Sequence, residues 1–458
     1  MNVATDPSGL FAGDTNDPYR LALRAHVWGF APILATRLRQ GFTNPADPFI
    51  ERNPAMAGAP LNSLGHQRRL ADASLKLGVA PNVDTLYSLA WIDLAAEPFV
   101  FETPDFGPRY YTFQMGCGDS SCTQSPGART HGPKLPTLFI SGPDHNVAVP
   151  DGMLHIACHT RFLLLAGRVL VHPGDPDDHA RVQALQRAMV LRPLSRYLAG
   201  QGGQNPVPAQ RLLDAGGEGL DPALRPLNQL GNVLREWVVQ PEEQALIDSF
   251  GAIGVTTAEG FRPEHLDKAT RREVVRGLAD GAELVERKTR DLGKTVNGWT
   301  TNYLGPVFGN DYLLRAAVAK DQIYVVPLEE ALYPVAKVDA EGRGLHGASA
   351  YRMAFAPDQL PPAGAFWSLT LYTRNGPLVA NPIDRYAIGD RTPGLVFGRD
   401  GSLEILIQHA MPDGPGRANW LPAPQGDFHL MMRIYGPQAR ALDGRWLPPA
   451  VRRSGGGG

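Results

Sequence analysis

The chain has 458 residues, rich in Gly (50) and Pro (41), with 20 % charged residues and a formal net charge of -2. That length supplies roughly two to three domains with buried cores, and the Gly and Pro content favours turn-rich β structure with long ordered loops over a helical bundle. A near-neutral balance gives no bulk attraction to nucleic acid or anionic lipid, so a dedicated nucleic-acid binder is excluded.

No apolar run reaches the roughly 18 to 20 residues of a membrane-spanning helix. The first residues, MNVATDPSGLFAGDTNDP, lack the basic flank and apolar core of a secretory signal. The expectation is no membrane partner and a cytoplasmic location as the sequence stands, or a periplasmic or secreted one if a signal was removed. Residues 454–458, Ser followed by four Gly, read as a linker or tag.

In chain order, Asp17 and Pro18 read as an N-cap and first helical residue opening an amphipathic helix over 19–40, which Pro32 should kink. From 76 to 171 the period changes to two. LYSLAWIDL, FVFETP, RYYTFQM, LFISG, MLHIACHT and RFLLLAGRVLV are short β-rich runs parted by Gly, Pro and Asp, the pattern of a sandwich or barrel. Helical spacing returns over 178–198, 242–250 and 263–292. After 312–319, SAYRMAFA, AFWSLTLYTR, LEILIQHA and FHLMMRIYG alternate again and predict a second antiparallel β domain. The division is thus 1–175 (helix and first β domain), 176–319 (mainly helical connection) and 320–453 (second β domain). The fold class is α+β, with two antiparallel β-sandwich-like domains and helices packed between and around them.

Phosphate-loop, zincin and nucleophile-elbow motifs are missing from the sequence, and the G-x-G-x-x-G letters at Gly342 to Gly347 are followed by the strand-like SAYRMAFA where a dinucleotide site requires a helix, so no cofactor is called for. Gly118-Asp119-Ser120 has the letters of an esterase signature, but residue types this common match by chance. Cys117, Cys122, His155, Cys158 and His159 have ligand-like spacing. A strand over 154–160 would put His155 and His159 about 13 Å apart on one face and Cys158 on the other. The favoured reading is therefore a surface histidine pair beside a buried thiol, with no metal, although coordination by a subset stays open. Three cysteines also argue against a disulfide scaffold.

Polar side chains set in apolar, Gly/Pro-punctuated segments recur in both halves. PNVDTLYS carries Asp84 and Tyr87; RYYTFQ puts Arg109, Tyr111 and Phe113 on one face with Tyr110, Thr112 and Gln114 on the other; NPIDRYAIGDRT packs Asp384, Arg385, Asp390 and Arg391 into one loop. PNVDTLYSLAWIDL, RYYTFQ, NGWTTN, NDYLLRAAVA, FWSLTLYTRNGPLVANPIDRYAIGDRTPGL, IQHAMP, ANWLPAP and RIYGPQARALDGRWLPPAV together resemble the bacterial family whose halves are catalogued as domains of unknown function 1254 and 1214. The resemblance covers about 19–451. It implies two β-sandwich-like domains with helices between and around them, and members that often carry export signals. Val83 stands where the family usually has a second Asn, MGCGDSSCTQSPGART departs from the common pattern, and Ala410 replaces the usual acid after Gln408-His409.

Asp84 reads either as a general acid or base or as a turn residue pairing an arginine. Tyr87 and Tyr111 are proton donors or oxyanion stabilisers, or core tyrosines with satisfied hydroxyls. His409, sharing a strand face with Ile405 and Ile407, is a general base or a core histidine. Arg109, Arg385 and Arg391 clamp an anion or form structural pairs, one of the last two holding its loop and the other facing ligand. Gln114 and Trp299 complete the expected binding surface, with Asp84, Arg109 and Tyr111 converging on one cavity. The functional expectation is a cofactor-independent hydrolase or lyase acting on a small polar or anionic molecule in an interdomain cleft, in a chain able to form a homo-oligomer. The alternatives are a non-catalytic small-molecule or carbohydrate-binding protein and a metal-dependent hydrolase.

Overall fold

A computed structural model describes residues 9–75, 80–145 and 147–454. The expected linker residues 455–458 lie outside them, as does the start of the first β stretch at 76–79. The architecture is mixed α+β, with antiparallel and mixed sheets and, among the described residues, no closed barrel.

Helix α1 (Pro18–Thr43) opens where Asp17 accepts a hydrogen bond from the Tyr19 N–H, and it runs through Pro32 without a break. The first five-stranded sheet is antiparallel. Its order is Gly65–His66, β1 (Thr85–Asp93), then β3 (Phe162–Leu170), β2 (Tyr111–Cys117) and Cys122–Gln124. A four-stranded sheet of Leu154–Ala157, Leu138–Ser141, Phe99–Glu102 and Val190–Pro193 packs on one face of it, its first two strands parallel. Leu86, Ala90, Tyr111, Phe113, Leu165 and Val169 fill the core between these sheets.

The stretch expected to be one helix over 178–198 is α2 (Asp178–Arg187), then the strand Val190–Pro193, then a short helix Leu194–Leu198. A β-branched Val followed two residues on by Arg-Pro suits a sheet edge, and Val100 there pairs with Arg192. Arg225–Leu234 is a helix that the sequence reading left out. The long helix α3 (Lys268–Arg290) starts later than expected because Asp267 caps it by accepting from the Thr270 N–H. α1, α3 and α4 (Tyr312–Gln322) share a helical core with Trp28, Leu278 and Ala316. The contact of α1 with α3 needs Gly277: a Cβ there would lie 2.2 Å from the Tyr19 carbonyl oxygen.

In the second half, β4 (Tyr351–Phe355), β5 (Ala363–Thr373), β6 (Leu403–Gln408) and β7 (Phe428–Pro437) are the principal strands. β5 and β7 are central in the larger sheet, whereas β4 and β6 belong to a four-stranded one that includes a parallel pair of β6 with Trp420–Pro422. Leu369, Leu371, Leu430, Met432, Ile405 and Ile407 lie in the core they enclose.

Candidate functional site

Strand alternation decides what meets at the centre of the molecule. On β1, β2 and β3 the residues on the face away from the first core include Tyr87, Gln114 and Arg168; on β5 and β7 those on the face away from the second core include Ser368, Thr370, Tyr372, Arg433 and Tyr435. These two outer faces approach each other. Tyr110 lies with its ring 5.3 Å from those of Phe366 and Tyr435, Asn82 donates to the Tyr435 hydroxyl at 2.9 Å, and Ser368 Oγ donates to Asp84 Oδ2 at 2.6 Å.

Two arginines are buried in this interface. Arg168 is 8 % exposed and Arg433 3 %, and among the described residues neither has a carboxylate within ion-pair distance. Arg168 donates through Nε to the Tyr87 hydroxyl at 3.0 Å and through Nη2 to Gln114 Oε1 at 3.0 Å, while its Nη1 is buried without a partner among the described residues. Arg433 donates to Thr370 Oγ1 at 3.0 Å and to the Ala80 carbonyl at 2.8 Å. Removing a guanidinium from water costs several kcal/mol unless an anion compensates it. These dipoles do so only in part.

The tyrosines respond to that charge. Burial pushes the Tyr87 phenol up, but Arg168 against its oxygen and Arg433 nearby hold it below the ordinary tyrosine value. Burial and the Glu330 carboxylate push Tyr110 well up, and it donates to Glu330, which also receives Arg129 Nε at 2.9 Å. Tyr435 is pushed well up by burial. Tyr87 and Tyr333 are half-buried, unlike Tyr110, Tyr372 and Tyr435. Tyr333 forms part of the wall of a small recess, together with Asn302, Gln322, Val325, Val326 and Leu328.

The expected residues divide. Tyr87 and Gln114 are in the network; Gln114 also donates to the carbonyls of Tyr324 at 2.5 Å and Val325 at 3.1 Å. Asp84 sits at its edge, receiving Arg391 Nη2 at 2.7 Å. The turn before β1 is made by Asn82, whose Oδ1 accepts from the Asp84 N–H at 2.7 Å. Arg391 also lies 4.2 Å above the Phe366 ring and 3.3 Å from Asp390.

The remaining positions lead elsewhere. Arg109 grips both oxygens of Asp178, at 2.7 and 2.6 Å, and the Leu170 carbonyl at 2.6 Å. Burial would raise Asp178, but Arg109 and the His172 N–H bring it down to about 2. Tyr111 stacks on Phe106 in the first core at 3.9 Å and donates to the Gly132 carbonyl, so the expected convergence of Asp84, Arg109 and Tyr111 on one cavity does not occur. Arg385 donates to the carbonyls of Ala418 at 2.8 Å and Trp420 at 2.9 Å. It pins a neighbouring loop, while Asp384 accepts from the Tyr386 hydroxyl instead. His409 follows the last residue of β6, where the alternation stops, and is exposed with Nδ1 3.0 Å from the Ala423 carbonyl. Trp299 is in the second core and donates to the Pro449 carbonyl at 2.8 Å.

Sequence reasoning missed Arg168, Arg433, Tyr333 and Tyr435. A signal for the arginines was present: each is the one charge inside an apolar strand, in LLLAGRVL and LMMRIYG.

Residues 61–193 match the model described as a protein of unknown function (DUF1254), and residues 330–439 match that of a protein of unknown function (DUF1214). The chain belongs to the family defined by these two domains. Tyr87, Gln114 and Arg168 fall in the first match, and Arg433 and Tyr435 in the second. No curated protein matches the chain. Among solved structures, it is similar to the VPA0106 protein from Vibrio parahaemolyticus, with 22% identity and a TM-score of 0.72 over 96% of this chain and 100% of that one. That likeness shows a shared fold. A putative uncharacterized protein from Burkholderia cenocepacia matches at 13% identity and TM-score 0.43, over 98% of each chain. No described helix is long and apolar enough to cross a membrane.

Proposed function

We propose that the interface between the two outer sheet faces binds a small organic anion and that Tyr87 exchanges a proton with it, making the protein an acid-base lyase or hydrolase for small polar or anionic molecules. The observation that carries this is Arg168: a buried guanidinium with no carboxylate partner among the described residues, Nη1 unoccupied and Nε on a phenol oxygen. A carboxylate on Nη1, with Arg433 also near Tyr87, would supply the missing negative charge through a charge-assisted hydrogen bond. Tyr87 is only half-buried, and a small recess lies beside Tyr333 in the same network.

Of the two reactions the groups favour elimination. Tyr87, lowered by its arginines, takes as phenolate a proton from the carbon beside the bound carboxylate. The released electron pair forms a carbon–carbon double bond, and the leaving group departs with its own pair and receives the proton. A side chain that moves a proton in the transition state is worth roughly a hundredfold to ten-thousandfold in rate.

The test is turnover of a panel of small hydroxy and amino carboxylates. The expected result is Tyr87→Phe lowering kcat at least about a hundredfold with binding retained, and Arg168→Met raising KM. Full turnover by Tyr87→Phe would remove the proton-transfer role. Saturable binding with no turnover of any compound would establish the second reading, a non-catalytic binding protein, which is favoured by Tyr87 and Gln114 both being engaged by Arg168 already.

A further inference from the structure

A second cluster of chemistry-bearing side chains forms at the far end of β2, outside the network around Tyr87. Cys117 ends the strand, and the turn Gly118-Asp119-Ser120 follows, closed by the Ser120 N–H on the Cys117 carbonyl at 3.0 Å with Ser120 at φ 70. A three-residue turn of this kind places its last residue in the left-handed region. The turn holds Asp119 inward, 7 % exposed. From the other side comes the segment after Leu154–Ala157. That strand stops before Cys158, so the alternation expected to part Cys158 from its neighbours does not extend that far. His155 goes elsewhere, with Nε2 2.8 Å from Ser141 Oγ.

The result is a compact mixed donor set. Asp119 Oδ2 lies 3.2 Å from His159 Nε2, Cys117 and Cys158 Sγ are 3.4 Å apart, and one ligand atom from each of Cys117, Asp119 and His159 lies within 4.8 Å of the other two. Ligand atoms around a tetrahedral ion with metal–sulfur and metal–nitrogen bonds of about 2.3 and 2.0 Å are roughly 3.3 to 3.8 Å apart.

We propose that Cys117, Asp119 and His159 bind a transition-metal ion of the zinc class, Cys117 being its one thiolate ligand. Thiolate with imidazole selects zinc over magnesium or calcium. The carboxylate is already oriented as a ligand needs to be. Its Oδ1 accepts from the Ser121 N–H at 3.0 Å and hydroxyl at 2.6 Å, and Arg315 Nη1 approaches Oδ2 at 3.4 Å. Arg315 does not oppose the ion, because Glu243 faces it at 3.8 Å and the Trp28 carbonyl accepts from it at 2.9 Å. Binding is balanced in charge: the divalent ion enters, and two protons leave, one from the Cys117 thiol and one from the His159–Asp119 pair. The His159 side chain is 38% exposed, which leaves a route for the ion from solvent.

The experiment is cobalt and zinc loading of the whole chain, stripped with chelator under reducing conditions. The expected result is one equivalent of zinc by elemental analysis and, with cobalt, an intense sulfur-to-metal charge-transfer band in the near ultraviolet. Cys117→Ser should abolish the band and His159→Ala should weaken affinity about tenfold or more, since even outer-shell partners contribute that much, while Cys122→Ser leaves both unchanged. Circular dichroism of each variant separates loss of ligand from loss of fold, and His159→Gln, which keeps the side chain's bulk, serves if the alanine variant unfolds. Substoichiometric zinc in the folded wild type, a cobalt spectrum without the thiolate band, or a Cys117→Ser variant that keeps it would each overturn the proposal.

Discussion

Arg168 places its Nε 3.0 Å from the Tyr87 hydroxyl, two side chains from neighbouring strands of one sheet that share a register pair. The relationship fixes what each does: the phenol satisfies one arm of a buried cation, and the cation lowers the phenol. In a spectrophotometric pH titration of the folded protein, one tyrosine should therefore ionise below the ordinary value of about 10. Tyr87→Phe should remove that step and Arg168→Met should shift it upward. A titration unchanged by Tyr87→Phe would show that the low step, if present, belongs to another group.

Asp84 and Arg391 join the two halves of the chain through one ion pair at 2.7 Å, with Asp84 7 % exposed. Asp84→Asn leaves Arg391 without its main partner and Ser368 with a poorer acceptor, and should destabilise by about 3 kcal/mol in denaturant unfolding. Arg385→Ala, which removes bonds to carbonyls alone, should cost about 1 kcal/mol. Equal losses for the two would contradict the assignment of Asp84 to the interface.

Acid should unfold the protein through three partly buried histidines. Burial brings His26, His66 and His429 each down to about 4, helped by Lys320, Arg68 and Lys337 respectively. In the unfolded chain they titrate at about 6.5. The folded value is the lower one, so the unfolded state binds more protons between the two, and stability that is complete above pH 6.5 is lost as pH falls toward 4. Urea midpoints measured across that window should fall steadily, and His66→Gln should flatten the slope. A midpoint independent of pH there would refute the account.

At the helical contact, Gly277→Ala brings a methyl group to within 2.2 Å of the Tyr19 carbonyl and must push α1 and α3 apart. The expected loss is about 1 to 3 kcal/mol, read from thermal unfolding, despite alanine's better helix propensity. A stabilised variant would mean that the helices approach less closely.

What the sequence made legible follows from periodicity. Alternation in RYYTFQ separated Tyr111 and Phe113 from Tyr110 and Gln114 correctly, and the structure sends the first pair into the core and the second to the interface. Alternation does not say which face is the core, so it cannot tell that Tyr110, rather than Tyr111, meets the interface. It also gives no end point: His409 follows Ile407 by two residues yet lies beyond the strand, and Cys158 and His159 lie beyond Leu154–Ala157. Pairing across the two halves, such as Asn82 with Tyr435, spans 353 residues and has no local trace. The Gly/Pro-punctuated loops drew attention to Arg385 and Arg391, whereas the buried charges Arg168 and Arg433 lie in the strands between the loops.

Calorimetric titration of small carboxylates into the wild-type protein and the Arg168→Met variant tests the central claim most directly. The account predicts saturable one-to-one binding of at least one carboxylate by the wild type, weakened about tenfold or more in the variant, because a charge-assisted bond of roughly 1.5 to 3 kcal/mol is lost. Binding of equal strength by the two proteins would place the anion elsewhere and contradict it.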